Sequence, residues 1–251
     1  MKALFKTDRG QIRKLNEDFG GVLLNKSGQY LAIIADGMGG HQAGEIASKL
    51  TYETFRDLWV KQKNGMTAEQ SEKWLLNSIN KANEKIYEYA NQNTECAGMG
   101  TTIVVAIGTD EFITIGHVGD SRGYLLNETG FKQLTEDHSL VNELLKSGEI
   151  NQSDADKHPQ KNVLLKALGT DIKVKPTIKT INWEKGNRLL LCSDGLSNKL
   201  SDEELADITK EIKTEKEIKT KLIDLANVRG GEDNITVALI IKESSEEVGE
   251  Y

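Results

Sequence analysis

Cysteine and proline are nearly missing from this chain. The two cysteines, Cys96 and Cys192, are too few for a disulfide framework and lack zinc-ligand spacing. The two prolines, Pro159 and Pro176, mark no domain boundary, and there is no repeat or low-complexity linker to divide the 251 residues. We therefore expect a single domain over residues 1–241, followed by a polar, acidic tail over 242–251 (KESSEEVGEY). No apolar run is long enough to span a bilayer. The first ten residues (MKALFKTDRG) lack the apolar core of an export signal. Together with the scarce cysteine, this leads us to expect a cytoplasmic protein with no membrane contact. Positive charge is also in deficit, with 32 Lys and Arg against 39 Asp and Glu and a net charge of -7. A broad basic face for nucleic acid is therefore disfavoured.

What is present is a set of short β-rich segments: 19–24, 30–35, 101–108, 112–118, 123–127, 174–181, 188–192 and 235–241. Residues 31–35 and 101–107 are apolar almost throughout, as in sheets covered on both faces. Helical spacing joins Ala43, Ala47, Leu50, Thr54 and Leu58, and again Leu75, Ile79, Ala82, Ile86 and Tyr89. Later stripes are Leu205, Ile208, Ile212 and Ile218, Leu222, Leu225. Ser201 and Glu204 have the spacing of a capping box. Helices that come in pairs between groups of strands predict layers, a β-sandwich with helices outside each sheet.

Four aspartates stand where these apolar runs stop or start, each with glycine nearby. They are Asp36 in LAIIADGMGG, Asp120 in IGHVGDSR, Asp194 in LLLCSDG and Asp233 in GGEDNIT. Each has an ordinary explanation alone: a turn for Asp36, a turn or helix cap for Asp194, a loop for Asp233 and a hairpin turn for Asp120. Together they suggest one acidic pocket of the kind that holds hard divalent cations. The glycines after Asp36 permit a tight turn, which makes the Gly37 carbonyl a further candidate ligand. Arg13, Glu17 and Asp18 lie in RKLNED before a strand. An arginine beside cations is a combination that recognises phosphate.

Competing chemistries lack their motifs. Neither cysteine begins a Cys-x5-Arg loop, and neither a G-x-S-x-G elbow nor a P-loop is present. A water activated by a cation is the economical attacker.

The ordered set RKLNED, ADGMGGH, GMGTT, GDSRGY, CSDGLSN and GGEDNIT resembles the bacterial branch of the protein phosphatase 2C family, from about Thr7 to Ile241. The resemblance implies an α+β fold, a four-layer α-β-β-α sandwich of two mainly antiparallel sheets flanked by helix pairs. It implies a metal-dependent serine/threonine phosphatase with two Mn²⁺ or Mg²⁺ ions and a weaker third. Asp36 would bridge the two ions, the Gly37 carbonyl would bind one of them, and Asp194 and Asp233 the other. Asp120 would hold the third ion with Asp194. Glu17 and Asp18 would act through water, and Arg13 would clamp the substrate phosphate. In animal relatives a histidine directly after Asp-Gly protonates the leaving group. Met38 stands there in this chain, and His41 is either that acid or a loop histidine ordering water. Residues 137–162 resemble the family's mobile flap, with His138 and His158 at its borders. The implied partners are phosphoserine and phosphothreonine proteins, including a bacterial Ser/Thr kinase and its substrates, met by a monomer. Two rivals stay open: a catalytically dead signalling copy and a hydrolase of small phosphate esters. Among the remaining residues, His117 and Met99 read as structural, and Arg122 as the partner of a local carboxylate.

Overall fold

Two antiparallel sheets stack face to face in the computed structural model, which describes residues 1–40 and 42–243. The strands are β1 (Lys2–Asp8), β2 (Asp18–Leu24), β3 (Tyr30–Met38), β4 (Gly100–Thr101), β5 (Ile103–Gly108), β6 (Phe112–Val118), β7 (Arg122–Asn127), β8 (Gly130–Gln133), β9 (Thr177–Asn182), β10 (Arg188–Cys192) and β11 (Ile235–Ile241). One sheet runs β1-β11-β10-β7-β8. The other runs β2-β3-β5-β6-β9, with β4 paired to β3.

The apolar runs arise because every central strand has two buried faces. In β3 and β5, Leu31, Ile33, Ile103, Val105 and Ile107 pack on the outer side under helices. The alternate residues Ala32, Ile34, Val104 and Ala106 face the other sheet. In β10 and β11, Leu190, Cys192, Val237 and Leu239 lie under the second helical layer, and Leu189, Leu191, Ala238 and Ile240 fill the middle. Each Leu, Ile or Val among them taken fully from water contributes about 1.5–3 kcal/mol, so the middle layer is a main source of stability.

Helices α1 (Ala43–Trp59) and α2 (Ala68–Gln92) cover the β3 sheet through Ala47, Phe55, Leu75, Ile79 and Ile86. Thr67 and Gln70 form a capping box that starts α2. Short helices α3 (Leu140–Ser147) and α4 (Gln152–Asp156) occupy the polar segment between the sheets' strands. A single turn, α5 (Asp194–Ser197), follows β10. The other sheet is covered by α6 (Asp202–Glu211), α7 (Glu215–Ile218), a π-helical turn (Lys219–Ile223) and α8 (Asp224–Val228). Leu205, Ile212, Ile218 and Leu222 supply their buried stripe, and Ser201 and Glu204 cap α6 as expected. The four-layer α+β sandwich expected from the sequence is thus present.

Four strand assignments need correction. β1 and β8 were not anticipated, because both are edge strands whose side chains are mostly part-exposed and include Lys2, Lys6 and Lys132. Edge strands carry such charge rather than an apolar pattern. The expected strand 174–181 begins only at Thr177, after Pro176, which has no N–H for a ladder. The run 101–108 is split at Thr102 into β4 and β5. Of the expected acidic tail, 242–251, all but Lys242 and Glu243 lies outside the described residues. Among the described residues no helix is long and apolar enough to cross a membrane.

Candidate metal and phosphate site

Segments far apart in the chain meet where strands of both sheets end. β2 opens with Asp18, which pairs in register with Asp36 near the end of β3. β10 stops at Cys192, so Ser193 and Asp194 follow at its tip, and Asp233 immediately precedes Asn234 and β11. The Ser193 N–H donates to the Thr236 carbonyl at 3.1 Å, tying the last two segments together. Asp120 is not in a hairpin turn. β6 before it and β7 after it belong to different sheets, so Asp120 lies on a crossing between layers. Gly119 permits that crossing at φ 104°, where an added Cβ would lie 2.7 Å from Thr102.

Asp36 is braced by its neighbours. Its N–H donates to Thr102 Oγ1 at 3.1 Å, and its carbonyl accepts from Thr102 N and Thr101 Oγ1, both at 2.8 Å. Thr102 Oγ1 also bonds Ser121 Oγ at 2.7 Å, which links Asp36 to the Asp120 crossing. Gly37 must be glycine because α1 starts against it. A Cβ there would sit 2.1 Å from the Gly44 carbonyl oxygen, and one on Gly44 would sit 2.5 Å from Glu17 Oε1. Gly37 N–H donates to the Glu17 carbonyl at 3.1 Å, which also accepts from Ser48 Oγ at 2.5 Å.

Asp18 is buried and half satisfied. Its Oδ2 accepts from Ser193 Oγ at 2.7 Å and from Thr236 Oγ1 at 2.6 Å. Its Oδ1 has no partner. Glu17 Oε1 and Asp194 Oδ1 are likewise buried without partners, although the other Asp194 oxygen accepts from Asn198 Nδ2 at 3.0 Å. Arg13 donates from Nη2 to Asp233 Oδ2 at 2.8 Å, and its Nη1 lies 3.8 Å from Glu17 Oε2. Its guanidinium stays about half exposed.

The electrostatics are those of crowded, uncompensated acids. Burial, then Asp18, Asp194, Asp120 and Asp233 in turn, push the Asp36 carboxyl well above the usual range. Burial pushes Asp18 up to about 7, aided by Asp194 and Asp233 and opposed by the two hydroxyl donors. Asp120 rises to about 8 through burial, Asp194 and Asp137. Burial and Asp233 raise Asp194, against the pull of Arg13 and the Asn198 hydrogen bond. Burial raises Glu17 against the pull of Arg13. For Arg13, burial lowers the pKa, but Asp233, Glu17 and Asp36 outweigh it and the guanidinium is held more firmly charged.

Acids packed this way, with three buried oxygens lacking any donor, fit a divalent cation. The donors are oxygens, which suits Mn²⁺ or Mg²⁺. Among the described residues, no three His, Cys, Asp or Glu side chains already converge on a single ion. Such ions do not require that, since they keep several waters and accept backbone carbonyls. A groove of about 980 Å³ lies elsewhere, between α2 and residues 172–175. Its lining is mainly Asn, Lys and Glu side chains and the site's carboxylates are not part of it.

The structure therefore brings together Arg13, Glu17, Asp18, Asp36, Gly37, Asp194 and Asp233, with Asp120 coupled electrostatically to Asp36 and Asp194. His41 lies outside the described residues. Sequence reasoning did not single out the supports: Ser193, Thr236, Ser121 and above all Asn234. The signal available for Asn234 was an amide beside an aspartate at a strand start, where such side chains bond backbone.

Comparison with known proteins agrees with this geometry. The family model described as Protein phosphatase 2C matches residues 11–224. Serine/threonine phosphatase stp of Listeria monocytogenes is 47% identical over 243 residues, which cover 97% of this chain and 96% of that protein. The crystal structure of a bacterial serine phosphatase superposes with a TM-score of 0.91 at 39% identity, over 98% of this chain and 99% of that one. The catalytic domain of the serine threonine protein phosphatase PstP, in complex with two manganese ions, superposes with a TM-score of 0.82 at 33% identity, over 95% and 96%. Joined to the carboxylate cluster built above, these matches show that the chain belongs to the protein phosphatase 2C family.

Proposed function

We propose that the acidic end of the sandwich removes phosphate from phosphoserine and phosphothreonine in proteins, with Asp36, the Gly37 carbonyl, Asp194 and Asp233 holding Mn²⁺ or Mg²⁺. The chain is a metal-dependent serine/threonine phosphatase. The observation that carries the residue assignment is the set of buried oxygens without donors on Glu17, Asp18 and Asp194, packed around Asp36. When bound, the cations lower the pKa of water and neutralise charge on the phosphoryl group. The chain's own residues do the rest. Asp36, crowded by Asp18, Asp194, Asp120 and Asp233, would help to hold the ions. Asp18 is fixed by two hydroxyls on one oxygen, which leaves Oδ1 to orient a water. Glu17, held through its backbone by Gly37 and Ser48, would do the same with its bare Oε1. Arg13 would release Asp233 or Glu17 to grip the substrate phosphate, an exchange its exposure permits. Asp120 with Asp194 would serve a weaker third ion. His41 is a candidate for protonating the leaving group, with ordering of water as the alternative role.

The domain reading is one catalytic unit over residues 1–241, with 137–162 as a flap that selects protein substrates. Its substrates would include a bacterial Ser/Thr kinase and that kinase's targets, in the cytoplasm, with the enzyme acting as a monomer. The test is turnover of a phosphothreonine peptide with and without Mn²⁺, beside a nucleotide control. Turnover of the peptide that chelator stops and Mn²⁺ restores supports the reading. Chelator-resistant turnover, or preference for the nucleotide, would sink it.

A further inference from the structure

The Arg13 loop poses a positioning problem. Residues 9–17 connect β1 to β2 without helix or strand, and the Arg13 side chain is about half exposed. Apart from its bond to Asp233, the guanidinium depends on the backbone of this loop for its place over the carboxylates. We infer that Asn234 is the positioning residue for this phosphate clamp: its buried side-chain amide fastens the loop on both sides of Arg13. The inference rests on the reading that Arg13 grips phosphate.

The bonds are specific. Asn234 is 2% exposed. Its Oδ1 accepts from the Glu17 N–H at 2.8 Å. Its Nδ2 donates to the Arg9 carbonyl at 2.8 Å and to the Leu15 carbonyl at 2.9 Å. One acceptor and both amide hydrogens are used, and the three partners bracket Arg13 from residue 9 to residue 17. Aspartate at 234 would set a carboxylate against two carbonyl oxygens, and alanine would take the side-chain partner from all three backbone groups. Only an amide of this length satisfies all three. The Asn234 backbone N–H also donates to Asp233 Oδ1 at 2.8 Å. The Gly231 carbonyl accepts from Gln11 and Ile12 at 2.8 and 3.2 Å, so the whole 231–234 segment is stitched to the loop. A metal-ligand candidate and the phosphate clamp therefore sit on one framework, which sets the distance between them before substrate arrives.

The experiment is a double-mutant cycle of Arg13→Ala and Asn234→Ala, read as kcat/KM on a phosphothreonine peptide in saturating Mn²⁺. Mn²⁺ affinity of each protein without substrate is measured by calorimetry. In the Arg13 background, Asn234→Ala lowers kcat/KM at least about 10-fold. In the Arg13→Ala background it costs less than about 3-fold, because the group it positions is gone. Mn²⁺ affinity changes less than about 3-fold in either. Equal losses in both backgrounds, or a matching loss of Mn²⁺ affinity, overturn the inference and leave Arg13 as the clamp. Wild-type kcat/KM in Arg13→Ala would instead remove the clamp reading itself, and this inference with it. If Asn234→Ala fails to fold, Asn234→Ser takes its place. Amide exchange of residues 9–17 then provides the second readout: acceleration confined to them is expected, and unchanged exchange overturns the proposal.

Discussion

Two arginine–carboxylate clusters in this protein use the same chemistry for different ends. Arg122 is largely enclosed. Its Nε donates to both oxygens of Asp137 at 3.0 Å, its Nη2 to one of them at 2.7 Å, and its Nη1 to the Tyr124 hydroxyl at 3.2 Å. Gln133 Nε2 completes Asp137 at 3.0 Å. Burial alone would lower the Arg122 pKa, and Asp137 more than reverses it. Arg13 is more exposed, makes one short bond to Asp233, and faces acids that outnumber it. The first cluster is complete without a ligand and holds residues 133–137 to β7. The second has excess negative charge, bare oxygens and a movable cation. A charged cluster left incomplete by its own fold is one that a ligand completes.

That contrast can be broken most sharply at Asp36. Asp36→Asn removes the acid that Asp18, Asp194, Asp120 and Asp233 all repel. We expect kcat to fall about 1,000-fold or more, of order 4 kcal/mol. Thermal stability without cation should hold or rise, since a repulsive charge has gone, and Mn²⁺ should no longer raise Tm. Asp194→Asn should behave alike. Near-normal turnover in either variant would refute the cluster as the metal site.

The two arginines then separate along different axes. Arg122→Met leaves Asp137 part-buried and unpaired, which should cost roughly 2–4 kcal/mol of stability in chemical denaturation. kcat/KM of the folded protein should change less than about 5-fold. Arg13→Ala should lower kcat/KM about 50-fold, near 2 kcal/mol, while stability moves by less than about 1 kcal/mol, as for an exposed ion pair. If both substitutions shift the same quantity, the distinction between a structural and a functional arginine is wrong.

Much of this division was legible in the sequence, and for a physical reason. Metal-ligand candidates must be rigid yet open, so they stand at strand ends, and strand ends are visible as apolar runs stopping at Asp-Gly. The layers were legible too, because β3, β5, β10 and β11 are apolar on both faces. What stayed hidden depends on long-range backbone geometry. Asn234 bonds carbonyls more than 200 positions earlier, and no local pattern encodes that. β1 and β8 stayed hidden because edge strands keep charged side chains. Asp120 read as a hairpin because neighbouring strands in sequence usually pair, whereas here they enter different sheets.

The smallest expected effect lies where the Arg122–Asp137 cluster meets the Asp120 crossing. His117 and His138 stack there with ring centroids 4.6 Å apart and planes 9° from parallel. His138 Nδ1 accepts from Gly119 N–H at 3.2 Å, so the neutral ring carries its proton on Nε2, which faces Thr177 Oγ1 at 3.2 Å. Burial, His117 and Lys166 pull the His138 pKa down to about 4, with Glu136 opposing. Burial lowers His117 as well. A group whose pKa is lower folded than unfolded binds fewer protons in the native state. Its contribution is therefore complete above the unfolded value near 6.5 and drains away as pH falls toward 4. Half-burial of the ring limits this to about 1 kcal/mol. His138→Gln should flatten the fall in Tm between pH 7.5 and 5 relative to wild type, with the site's carboxylates cancelling in the difference. An unchanged pH slope would mean that the stack does not hold residues 137–139 to Gly119. The enclosed cluster would then owe its rigidity to Arg122 and Asp137 alone.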